Sequence, residues 1–105
     1  MKELDKGYKY ELESSDPKKN QVLQFLKKGK EWVDGAYIFV TVEDGVTNEE
    51  VLSVVFDRLQ HLNAIASCKE NQQALIHIEE AIMWLNRRTQ KRVQQGVLDT
   101  IKDHV

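Results

Sequence analysis

Hydrophobic positions along the chain change period near residue 46, and that change divides the sequence into two kinds of structure. Before it, Tyr8, Tyr10 and Leu12 alternate with Lys9, Glu11 and Glu13, the two-residue repeat of a half-exposed strand. Gln21 to Leu26, with Val22, Leu23, Phe25 and Leu26, predicts a second strand. Ser14 to Asn20, which holds the only proline, Pro17, reads as a turn-rich connector, so an antiparallel hairpin is the simplest pairing. A third extended run, Ala36 to Val42, lies between Gly35 and Gly45.

After residue 46 the period becomes helical. Thr47 and Glu50 have the spacing of a capping box, and Val51, Leu52, Val55, Phe56, Leu59 and Leu62 form one apolar face, which predicts a helix from about Asn48 to Leu62. Asn63 to Ser67 reads as a connection. Ser67 and Glu70 repeat the capping spacing, so a second helix is expected from Cys68 to about Gln95, with Gly96 as its stop. At about 27 residues, roughly 40 Å, it is nearly twice as long as the first helix. The expected architecture is α+β: a small N-terminal antiparallel β-hairpin or sheet followed by a long antiparallel αα-hairpin. Residues 1–105 then form a single domain, with a β region (1–45), a helical hairpin (46–97) and a C-terminal tail (98–105).

The second helix carries an unusual seam. Its members are Asn71, Ala74, Ile78, Ala81, Leu85, Arg88 and Arg92, apolar in the middle and polar at both ends. Two arginines one turn apart suit a phosphate or diphosphate, because each guanidinium offers several donors in a planar fork. The competing reading places them against Asp or Glu, or in favourable contact with the helix dipole. Because a short connection makes the helices antiparallel, the first covers only part of the second. The remainder, including Trp84, Leu85, Arg88 and Arg92, is expected to meet the strands or a second copy of the chain.

Composition narrows the function classes. A hydrophobic fraction of 41%, a charged fraction of 30% and a formal net charge of -2 fit a folded protein and argue against general binding of long nucleic acid. One cysteine, Cys68, excludes an internal disulfide, and it is expected to pack rather than react. No signal-like or membrane-spanning stretch is evident, so a cytoplasmic setting is expected. His61, His77 and His104 lack metal-ligand spacing, Glu79 and Glu80 read as a solvated face or as the partner of a nearby arginine, and glycine-rich phosphate loops are absent. No catalytic residues, metal or cofactor are therefore assigned. Trp32 and Trp84 read as core or interface anchors.

Taken together, Gly45-Val46-Thr47-Asn48-Glu49, Asp57-Arg58-Leu59, Cys68-Lys69-Glu70-Asn71, His77 to Leu85, Arg88-Thr89, Arg92 and Gly96-Val97 resemble the phage helical-hairpin proteins of the Thoeris anti-defence and anti-CBASS family. The likeness covers roughly residues 45–97 and is weaker in the strands. It implies a homo-oligomer, dimer or hexamer, acting in the bacterial host cytosol as a sponge. Such a protein binds a cyclic ADP-ribose isomer, or CBASS cyclic oligonucleotides, without cleaving them.

By position, the resemblance assigns ligand contacts to Asn71, Arg88 and Arg92. The family's base-stacking aromatic has no counterpart among residues 62–68, so the resemblance leaves His61 or an aromatic from the strands to cover the adenine. Lys69 stands where arginine is common, and Val97-Leu98-Asp99-Thr100 lacks the second glycine of many members. Two alternatives remain open: a structural helical-hairpin oligomerisation module, and an enzyme degrading the same messengers.

Overall fold

The computed structural model describes residues 1–94; the expected stop at Gly96, the 98–105 tail, the Val97 to Thr100 departure and His104 lie outside the described residues. Two compact units meet between Thr47 and Asn48. The first carries five antiparallel strands in two small sheets and the second an αα-hairpin, so the fold is α+β with strands preceding a helical hairpin.

In the first unit, β1 (Lys2–Asp5), β2 (Lys9–Leu12) and β3 (Gln21–Gln24) form a sheet in that order. The expected hairpin is its β2–β3 pair, with Tyr10 opposite Leu23 and Glu11 opposite Val22. The connector is pinned locally. Asp16 Oδ1 accepts from Lys18 N at 3.0 Å at the head of a single 3-10 turn over Pro17–Lys19, and Ser14 Oγ donates to the Lys19 carbonyl at 2.8 Å. Tyr10 and Phe25 meet edge to face with centroids 5.9 Å apart.

The sequence reading missed β1 and β4 (Lys27–Val33). The latter pairs with β5 (Ala36–Glu43) from Lys27–Glu43 to Val33–Ala36. Lys-Lys-Gly-Lys-Glu-Trp-Val has no apolar alternation for a pattern search to find. The available signal was Asp34-Gly35, whose φ values of 48° and 81° give the doubly left-handed turn that suits a two-residue hairpin. The chain then returns to the first sheet: Val46 N donates to the Gln24 carbonyl and Leu26 N to that of Val46, each at 3.0 Å.

In the second unit, α1 (Asn48–Ile65) and α2 (Lys69–Gln94) have 18 and 26 residues. The expected connection was too long, since α1 continues three residues past Leu62; Asn63, Ala64 and Ile65 include neither Gly nor Pro to stop it. The length difference therefore falls to eight residues (26 − 18), about 12 Å rather than nearly a factor of two. The partly covered positions of α2 are Asn71, Ala74, Leu75, Ile78, Ala81, Ile82, Leu85 and Arg92, which reproduce the seam except for Arg88, with Leu75 and Ile82 added. On α1, Val51, Leu52, Phe56 and Leu59 are partly covered, whereas Val55 and Leu62 are 44% and 39% exposed and lie at the margin. No described residue is fully buried. Among the described residues no helix is long and apolar enough to cross a membrane.

Candidate functional site on the second helix

The loop end of the hairpin is fixed by short-range hydrogen bonds. Asn63 Oδ1 accepts from Cys68 N at 3.2 Å, closing the three-residue loop, and the Cys68 carbonyl accepts the first intrahelical bond from Gln72 N at 3.2 Å. Cys68 is thus the N-cap and α2 starts one residue later than expected. Its Sγ accepts from Asn71 N at 3.4 Å, and Ser67 Oγ instead accepts from Gln72 Nε2 at 3.0 Å. Cys68 is exposed, contrary to the expectation that it packs.

This arrangement sets Asn71 on the third residue of α2. It is half-buried, and its side-chain amide has no partner among the described residues, so its two donors and its acceptor are uncommitted. His61 is exposed near the C-terminal end of α1, at the same end of the hairpin.

Arg88 and Arg92 lie at the opposite end. Between Asn71 and Arg88 there are 17 helical steps (88 − 71), about 25 Å of α2, and Arg92 is another turn away. Within one chain, therefore, Asn71 and His61 are grouped at one end and the arginines at the other. No single small ligand spans both. An antiparallel hairpin with an eight-residue length difference leaves the last two turns of α2, from about Arg87 onward, beyond the start of α1.

The two arginines, one turn apart, differ in burial. Arg92 is half-covered, in line with the apolar seam, while Arg88 is exposed. Arg88 instead joins Trp84, Arg87 and Lys91 around an open concavity of ≈ 290 Å³, and these four positions share one helix face by their three- and four-residue spacing. The Arg87 guanidinium lies 5.4 Å from the centroid of the Trp84 ring, within cation–π range. Arg87, Arg88 and Lys91 meet no carboxylate among the described residues. A second concavity, lined by Glu79, Ile82, Met83, Asn86, Arg87 and Gln90, adjoins the first through Arg87.

The structure sets Trp84, Arg87 and Lys91, none of them a candidate on sequence, beside the candidate Arg88. The signal was present as Trp84 followed by cations at i+3, i+4 and i+7, but the indole was assigned to packing. Neither tryptophan sits in a core: Trp84 is 55% exposed and Trp32 61%. Among the described residues no group of His, Cys, Asp and Glu is arranged to hold a metal ion.

The geometry defines a class: a small α+β protein built around an αα-hairpin whose longer helix carries a cation-rich end. The model of the Acb2/Tad1 hairpin domain matches residues 16–90, and the chain belongs to that family. The match takes in His61, Asn71 and Arg88, ends two residues before Arg92, and reaches back through β3, β4 and β5. Thoeris anti-defense 1 of Bacillus phage SBSphiJ7 is 47% identical over 58 residues, which cover 54% of this chain and 41% of that protein; the chain thus spans less than half of its relative's length.

Proposed function

We propose that this chain is a phage anti-defence protein that captures nucleotide second messengers of bacterial immunity and holds them intact. The ligand would be a cyclic ADP-ribose isomer or a cyclic oligonucleotide. The observation that carries the reading is the cationic end of α2: Arg87, Arg88 and Lys91 are clustered on an exposed face without carboxylate partners among the described residues. Like charges at i, i+4 destabilise a helix, so an anion supplied from outside is the natural complement. Family membership and the anti-defence name of the phage relative supply the biological setting.

In this reading Arg88 and Arg92 take the phosphates, while Asn71 fixes a ribose or base edge and His61 lies against the base. For both groups to touch one nucleotide, the about 25 Å between them would have to be closed by drawing them from different chains. A homo-oligomer in which one copy contributes the arginines and its partner the loop end satisfies that requirement, with dimer and hexamer both compatible. Val54, Ile76, Met83 and Val93, each more than half exposed on the hairpin, offer apolar surface for such an assembly. Binding alone would silence the pathway by keeping free messenger below the effector's threshold, and each factor of ten in affinity takes about 1.4 kcal/mol. The action would be in the host cytosol.

The test incubates the purified protein with cyclic ADP-ribose isomers and cyclic di- and trinucleotides, measures free nucleotide by chromatography, then denatures the protein by heat. Depletion followed by release of unchanged nucleotide is expected. Release of a cleaved product would establish an enzyme instead, and no depletion of any compound would eliminate the sequestration reading.

A further inference from the structure

We propose that Trp84 is the base-stacking surface of the nucleotide site, with Arg87 and Lys91 as additional phosphate-reading cations beside Arg88. This inference rests on the nucleotide-binding reading. Three observations converge on it. The indole is 55% exposed on a helix whose neighbouring seam is partly covered, so packing within the chain does not account for it. Arg87 lies 5.4 Å from the ring centroid, which orients the ring and leaves an electron-rich surface suited to an Arg–indole–base stack. Trp84, Arg87, Arg88 and Lys91 line a single concavity.

The spacing fits the chemistry of a nucleotide. Side chains at i and i+4 on a helix are about 5–6 Å apart at Cβ. A base lying on Trp84 would therefore place its own 5′-phosphate within reach of Arg88, one turn further along. Lys91 and Arg87 stand one turn apart on the same face, where they can divide the charge of a second phosphate. His61, about a hairpin's length away in the same chain, would then cover the other face of that base from the partner.

The chain has two tryptophans, so Trp32→Phe leaves Trp84 as the sole reporter. Titrating that variant with cyclic ADP-ribose isomers and adenine-containing cyclic oligonucleotides is expected to quench Trp84 fluorescence with the same midpoint as nucleotide depletion. Trp84→Ala should bind about tenfold more weakly, the scale of one lost base–aromatic stack, whereas Trp84→Phe retains most of the affinity. Light scattering should give both variants the mass of the wild type. Wild-type affinity in Trp84→Ala would overturn the stacking role, and a change of mass that tracks the loss of binding would overturn it by making Trp84 an assembly residue. If Trp84→Ala binds normally while Arg88→Ala does not, stacking alone fails. If the parent chain depletes no nucleotide, the functional reading fails with it.

Discussion

Two glycines show how residue-scale geometry decides tolerance. A Cβ on Gly45 would stand 2.5 Å from the Gln24 carbonyl oxygen, 2.6 Å from the Phe25 carbonyl carbon and 2.9 Å from Leu26 N, all main-chain atoms of the segment that residues 45–46 pair with. A Cβ on Gly29 would also meet an atom at 2.5 Å, but that atom is Val42 Cγ2, on a side chain that is 56% exposed and free to turn. Gly45→Ala is expected to destabilise the β unit by about 1–3 kcal/mol, as overpacking does, and Gly29→Ala to be nearly neutral. Urea unfolding followed by Trp32 fluorescence in a Trp84→Phe background measures both; equal effects would contradict the backbone argument. At this scale the sequence marks Gly45 as a boundary and a motif residue but not as a close approach, because which atoms approach a glycine depends on a strand pairing that local pattern does not contain. The cap of α2 was similarly displaced by one residue. Ser67 is the stronger capping residue by type, yet the Asn63 side chain holds Cys68 N, and the thiol takes the capping position.

At the scale of elements, the helices were legible because each carries a continuous apolar stripe of 3.6-residue period, while β4 was not because its strand character comes from pairing with β5 and from the Asp34-Gly35 turn. The seam on α2 also emerged from periodicity, but the separate cationic face did not. A search for apolar repeats follows Leu85 to Arg92 and passes over Trp84, Arg87 and Lys91, which occupy the neighbouring face. That cluster costs the isolated helix something. Arg87–Lys91 and Arg88–Arg92 are like-charged i, i+4 pairs, each unfavourable by roughly 0.2–0.5 kcal/mol. Lys91 and Arg92, in the last described turn, gain from the helix dipole, but Arg87 and Arg88 are a turn further in and gain less. Arg87→Glu replaces repulsion with a favourable Glu–Lys pair and gives up the contact to Trp84, so folding stability should change by no more than about 0.5 kcal/mol. Nucleotide affinity should fall at least about tenfold, since a phosphate-facing cation becomes an anion. Thermal unfolding and equilibrium depletion on the same samples separate the two effects. A loss of stability as large as the loss of binding would mean that the cluster is part of the scaffold.

For the whole molecule, the decisive quantity is the length of α2. Asn71 and Arg92 are 21 helical steps apart (92 − 71), about 31 Å, beyond the reach of a compact nucleotide. Either the two polar ends of the seam act on separate ligands or one site is built from two chains, and mixing defective variants distinguishes these cases. Asn71→Ala retains its arginines and Arg92→Ala retains its asparagine. In a symmetric dimer with two shared sites, a mixed pair contains one site with both residues intact and one lacking both. Random reassembly makes half of the dimers mixed, so about a quarter of the sites should recover full affinity. Each variant alone should bind about tenfold or more weakly, given the cost of losing a hydrogen bond to a charged group or a buried amide contact. Unfolding and refolding the two variants together, then measuring nucleotide depletion against each refolded alone, gives the comparison. A recovered high-affinity fraction places the asparagine and the arginine of one site on different chains. Affinity in the mixture equal to the mean of the separate variants would mean that each chain carries its site alone, and the arginine end would then have to bind its nucleotide without Asn71.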